Sequence, residues 1–223
     1  MEFLKLKQLM TEIKKKQKFL QIKLILLFFI GSVFSTSSQT NQQVLETAFY
    51  KSYELEKKGD FATATQPLKK IYNESSYEIN LRLGWLQYNA GLFEESIIFY
   101  SKAQELKPYS EEARFGLILP KAALGRWDEV ISLYDKILEI NPNNTVALYR
   151  LGLVYYGRKN YDKAYPLFKK VVDLYPFGYD GLLMLGWTSY FMGNYNQAKV
   201  LFNKVKLYNP GDESANEGLE LMK

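Results

Sequence analysis

From residue 77 onward, apolar residues recur along this chain at helical spacing. Leu81, Gly84, Trp85 and Tyr88 follow the i, i+3, i+4, i+7 pattern of one helix face. The pattern predicts a helix from about Glu78 to Ala90. Gly91 stands where that helix would end, because glycine accepts the left-handed cap conformation. A second helix is predicted from about Glu94 to Leu106. It opens on Glu94 and Glu95, which suit the positive end of a helix, and carries Lys102 and Lys107 late. Pro108 stops it, since proline has no amide hydrogen to give. The two helices make a hairpin whose apolar face needs a neighbour to cover it.

The hairpin repeats. Pro108, Pro142, Pro176 and Pro210 recur at one constant step. Trp127, Tyr161 and Tyr195 keep the same step, with Phe93 before them. Tyr100, Tyr134, Phe168 and Phe202 form an aromatic column, and Ala103, Ile137, Val171 and Val205 an apolar one. Gly84, Gly152 and Gly186 let two helices approach closely, and Ile118 replaces them in one unit. The units are about 45–76, 77–110, 111–144, 145–178 and 179–212. The first is divergent: the step from Gly59 to Gly91 is shorter than the others, and no proline closes the unit. Residues 213–223 start one more first helix, a capping helix in which Ala215, Leu219 and Met222 can cover the last hairpin. Pro67, Pro120 and Pro166 fall inside predicted helices. Pro120 would crowd the carbonyl of Gly116, either as a kink that shapes the inner surface or as a tolerated irregularity.

These motifs, at a step of about 34 residues, resemble the tetratricopeptide repeat family. The resemblance rests on Leu83-Gly84, Tyr88, Gly91, Phe93, Ser96, Tyr100, Ala103 and Pro108. Their counterparts in later units, such as Leu151-Gly152, Tyr155, Tyr161, Ala164 and Phe168, extend it. It covers about Val44 to Lys223. It implies an all-α fold: a right-handed superhelical solenoid of about five helical hairpins and a C-terminal capping helix. It also implies that first-helix residues just off the packing face line a concave groove. Those are Arg82, Trp85 and Tyr88, then Phe115 and Leu119, then Tyr149, Arg150, Leu153 and Tyr156, then Leu183, Trp187 and Tyr190. Trp, Tyr and Arg are the types that dominate binding hot spots. Some members hold a peptide's terminal carboxylate in a Lys/Asn clamp. Here the corresponding faces carry Arg82, Gly116, Arg150 and Met184, so that mode is not expected.

Residues 1–38 follow a different pattern. Seven lysines open the chain, Leu24 to Phe34 is an apolar run, and Ser35, Thr36, Ser37 and Ser38 follow. These are the three parts of a secretory signal peptide, and an uncleaved membrane anchor is the alternative. Residues 39–44 complete a polar linker. The chain has 29 basic and 24 acidic residues, but the stretch before Ser32 holds seven Lys and two Glu, which leaves 22 of each sign. A neutral solenoid gives no electrostatic case for nucleic acid. The absence of Cys and His removes disulfides, thiolate metal sites and the commonest general base. Adjacent acids such as Glu94/Glu95 and Asp128/Glu129 diverge on a helix and stand at helix starts. No catalytic residue, cofactor or metal is therefore expected. The sequence reads as a non-enzymatic, exported scaffold, periplasmic or secreted, that binds a protein or peptide segment in an aromatic groove. The alternative is a carbohydrate-binding or assembly module of a cell-envelope polysaccharide or outer-membrane system, with Trp85, Trp187 and the tyrosines stacking on sugars.

Overall fold

The computed structural model describes residues 41–223, and every regular element among them is helical. The chain forms two compact units, divided between Tyr72 and Asn73. In the first, helix α1 covers residues 41–56. Residues 41–44, expected to be linker, are thus helical. The polar side chains there support the helix: Gln42 Nε2 donates to Glu46 Oε1 at 2.9 Å, and Thr47 Oγ1 to the Gln43 carbonyl at 2.8 Å. The expected second helix is broken into α2 (Phe61–Ala64) and α3 (Gln66–Lys69). Pro67 has no amide hydrogen for the Thr63 carbonyl, so the helix restarts with proline in its first turn. Ser52, Ala64 and Leu68 are buried. The expected targeting segment, residues 1–38, lies outside the described residues.

The second unit is a series of hairpins: α4 (Tyr77–Asn89) with α5 (Phe93–Leu106), α6 (Glu111–Ala123) with α7 (Trp127–Ile140), α8 (Thr145–Gly157) with α9 (Tyr161–Leu174), and α10 (Tyr179–Phe191) with α11 (Tyr195–Tyr208). Helix α12 (Glu213–Glu220) follows alone. The first pair begins one residue earlier than expected, and Gly91 takes the left-handed φ of 77° that ends α4. Helices α6 and α9 run through Pro120 and Pro166 without interruption.

The aromatic column explains the glycines. A Cβ on Gly84 would stand 2.7 Å from the Tyr100 ring, one on Gly152 2.7 Å from Phe168, and one on Gly186 2.9 Å from Phe202. Gly116 and Gly218, on the next first helices, press even closer on the far sides of Tyr100 and Phe202. Tyr100 is therefore held between Gly84 and Gly116. Helix α6 makes its close approach at Gly116, and Ile118 fills core with Val130, Tyr134 and Leu151. A second core joins Phe168, Leu182, Leu185, Phe202, Val205 and Ala215. Leu219 and Met222 pack against it, so α12 covers the last hairpin as a cap.

Candidate interaction cleft

The first helices share a capping scheme, and one of them lacks it. Ser76, Ser110, Asn144 and Asp212 each accept a hydrogen bond from the amide three residues on. Three of these caps also fasten one first helix to the one before. Tyr77 Oη shares a 2.7 Å hydrogen bond with Ser110 Oγ and donates to Glu112 Oε2 at 3.0 Å. Asn144 Nδ2 donates to Glu111 Oε2 at 2.6 Å. Tyr179 Oη donates to Asp212 Oδ2 at 2.6 Å, and that bond is the main cause that pushes the Tyr179 phenol up to about 12. The remaining cap is Gly178, which has no side chain to reach back to Thr145.

A second fastening follows the same division. Asn80 Nδ2 donates to the Glu74 and Ser76 carbonyls at 2.9 and 2.7 Å. One repeat on, Arg114 does the same for the Pro108 and Ser110 carbonyls. Leu148 and Leu182, both buried, stand at the next two positions and donate nothing.

A cleft of about 610 Å³ opens where both fastenings are missing. Its walls are Val146, Tyr149, Arg150 and Leu153 on α8, Val171 and Tyr175 on α9 and its end, and Gly178 to Gly181 at the start of α10. Tyr175 is 61% exposed and Val146 51%. Burial raises the Tyr149 phenol, and the Asp180 carboxylate raises it further. Arg150 is exposed, and its charge lies near the Tyr134 phenol of the preceding hairpin. Burial raises the Tyr134 phenol against the opposing charge of Arg150. The cleft thus offers apolar walls, two phenol rings, a guanidinium and a carboxylate. That set suits an amphipathic protein segment.

The residues expected to line a groove do not all meet in one place. Tyr149, Arg150 and Leu153 meet in the cleft. Tyr156, Trp187 and Tyr190 join an aromatic cluster at the other end of the same helices. There Phe191 stacks on Tyr161 at 4.9 Å and 9°, Tyr156 meets both edge-on, and Trp187 lies 5.7 Å from Tyr190. Trp187 Nε1 also donates to Ser214 Oγ of α12 at 2.8 Å, and Leu183 packs on the second core. Trp85 and Tyr88 form a separate pair 6.3 Å apart, with Trp85 38% exposed. Phe115 meets Tyr134 edge to face at 6.4 Å, and Leu119 is half-buried. Arg82, also expected in the groove, is buried, with its charge beside the Tyr100 phenol. Sequence reasoning missed Val146, Tyr175 and the Gly178–Gly181 stretch that opens α10. The one available signal was Gly178, a glycine at a position held by Ser76, Ser110, Asn144 and Asp212 elsewhere.

Comparison with known proteins agrees with this geometry. Tetratricopeptide repeat models match residues 77–110, 145–177 and 180–212. No curated protein matches the chain in sequence. Among solved structures, a tetratricopeptide repeat protein from Parabacteroides merdae is 26% identical, with a TM-score of 0.68 over 79% of this chain and 71% of that one. MamA is 23% identical, with a TM-score of 0.64 over 74% of this chain and 91% of its own. YrrB, described as a tetratricopeptide protein with an unusual peptide-binding site, is 16% identical, with a TM-score of 0.63 over 78% of this chain and 90% of its own. The last two share the fold. With three matched repeats and the hairpin architecture in place, the chain belongs to the tetratricopeptide repeat family.

Proposed function

We propose that this repeat scaffold is exported and binds a protein segment at the cleft between α8 and α10. The tetratricopeptide architecture is a protein-interaction scaffold, and the observation that carries the finer reading is the coincidence of open volume with lost fastenings. The segment presents an apolar side chain to Leu153, Val146 and Tyr149, and a carboxylate to Arg150. Asp180 on the opposite wall favours a basic group further along the same segment. Export rests on the lysine-rich opening and the apolar run Leu24 to Phe34.

Photo-crosslinking in the producing cell tests the site. A photoreactive residue replaces Leu153 in one strain and Ile98, exposed on the second helix α5, in another. Position 153 should give a discrete protein adduct and position 98 none. An adduct from 98 alone, or from neither, refutes the cleft. N-terminal sequencing of the extracytoplasmic protein tests export, and an intact Met1 on soluble cytoplasmic protein refutes it.

A further inference from the structure

The hairpin of α1 with α2 and α3 has an open face unlike the later ones. A groove of about 400 Å³ runs between α1 and α3, with Val44, Ala48, Pro67 and Ile71 as its apolar floor and Lys51 and Lys70 on its walls. Allowing for the shorter step of this divergent unit, Lys51 stands in the column of Leu83, Leu117, Leu151 and Leu185, all of them buried. Pro67 stands in the column of Leu133, Leu167 and Leu201. That column turns toward the preceding hairpin: Leu167 on α9 packs against the core built by α5 to α8. The groove is thus the face that later hairpins press on their predecessors, with a lysine in place of a leucine.

Helix α12, in the second unit, has one face in use and one spare. Ala215 and Gly218 are buried, the latter against Phe202. Glu213, Glu217 and Glu220 are exposed, as is Leu221, 56% open to solvent. Glu220 stands in the column of Gly84, Gly152 and Gly186, which elsewhere faces the hairpin's own second helix; α12 has none among the described residues. Lys51, Lys70, Glu213 and Glu217 make no ion pair among the described residues. Glu220 pairs with Lys223 at 3.9 Å, so two such lysines on an apolar groove are matched by two unpaired carboxylates, Glu213 and Glu217, near an exposed leucine.

We propose that the α1–α3 groove of one copy receives the outer face of α12 from a second copy, so that the chain associates head to tail. Opposite charges steer the encounter and set its direction, while Leu221 meets the apolar floor. The contact is heterologous, so it leaves one groove and one α12 free on every pair and extends to a ring or a file.

Sedimentation velocity of the full chain, as the cell delivers it, tests this across a concentration series. Wild type should grow in mass with concentration, and the growth should fade between about 0.05 and 0.5 M salt as screening rises. The double variants Lys51→Glu/Lys70→Glu and Glu213→Lys/Glu217→Lys should each remain monomeric, because each sets like charges against one another. Mixing the two should restore association, since the acidic groove then meets a basic helix and the native groove a native helix. Circular dichroism checks the fold, and Lys51→Gln/Lys70→Gln replaces the first variant if it is unfolded, with association weakened at least about tenfold. A monomeric wild type, an associating double variant, or a mixture that stays monomeric overturns the proposal. Because these substitutions lie away from the α8–α10 cleft, the outcome is independent of segment binding there.

Discussion

The seam between α6 and α8 and the seam between α8 and α10 share a repeat but are fastened differently. At the first, Asn144 caps α8 and holds Glu111, and Arg114 ties the loop that leads into α6. On the opposite edge, Arg158 pairs with Asp128 at 3.0 Å. At the second seam, Gly178 leaves α10 without a side-chain cap and Leu148 replaces the tying residue. The opposite edge is held by the Tyr161–Phe191 stack. Lys159 also takes a left-handed φ of 58° at the position of Gly91, Gly125 and Gly193. The second seam is therefore closed by rings at one edge and open at the other. The period preserves the core, whereas the polar fastenings lie outside it and can be dropped where a surface is needed.

If that contrast is confined to the edges, the ring column should not register it. Tyr100→Ala and Phe168→Ala should each cost about 3–5 kcal/mol as large-to-small core changes, read from urea midpoints. A clearly smaller loss at Phe168 would mean that the second seam is loose throughout. Arg114→Ala should cost about 2–3 kcal/mol, because two carbonyls lose a charged donor. Arg114→Leu should cost about 1–2 kcal/mol, less than alanine because leucine restores the packing Leu148 provides one repeat on, although the two carbonyls still lose their donor.

Smaller effects sharpen the edges. Lys159→Gly should stabilise the chain by about 1 kcal/mol by relieving a left-handed lysine, whereas Gly125→Lys should destabilise it. Tyr179→Phe should cost about 1 kcal/mol for the lost bond to Asp212. It should also change the alkaline behaviour. The folded phenol sits at about 12, above its ordinary value near 10, so its contribution is complete below about pH 10 and is lost as pH rises through about 12. Wild type should lose that increment between those pH values in a denaturant series, and Tyr179→Phe should not.

The fold was almost fully legible in the sequence. Proline and ring columns at a constant step mark hairpins, and a Gly91 or a Gly152 marks a place where the backbone has one solution. The cleft was legible only in part. Tyr149, Arg150 and Leu153 follow from first-helix position, but Tyr175 and Gly178 belong to a turn between hairpins. The fastenings join the first residue of one helix to the cap of the next, one position short of the repeat step, and so never align in a column. Arg82 and Arg150 occupy one column and have opposite fates, one buried beside Tyr100 and the other open in the cleft. Column membership does not determine exposure. The packing of the adjacent hairpin does.

Leu119 and Leu153 offer the most direct test, because they are equivalent residues on α6 and α8 and only Leu153 lines the cleft. The measurement is the affinity of a peptide, enriched from a random display library on the purified chain, for wild type, Leu119→Asp and Leu153→Asp. Burying a leucine stabilises a complex by about 1.5–3 kcal/mol, so Leu153→Asp should weaken binding at least about tenfold. Leu119→Asp should remain within about twofold of wild type, with helical content unchanged in both. Equal losses at the two positions, or no loss at Leu153, would contradict the assignment of binding to the unfastened seam.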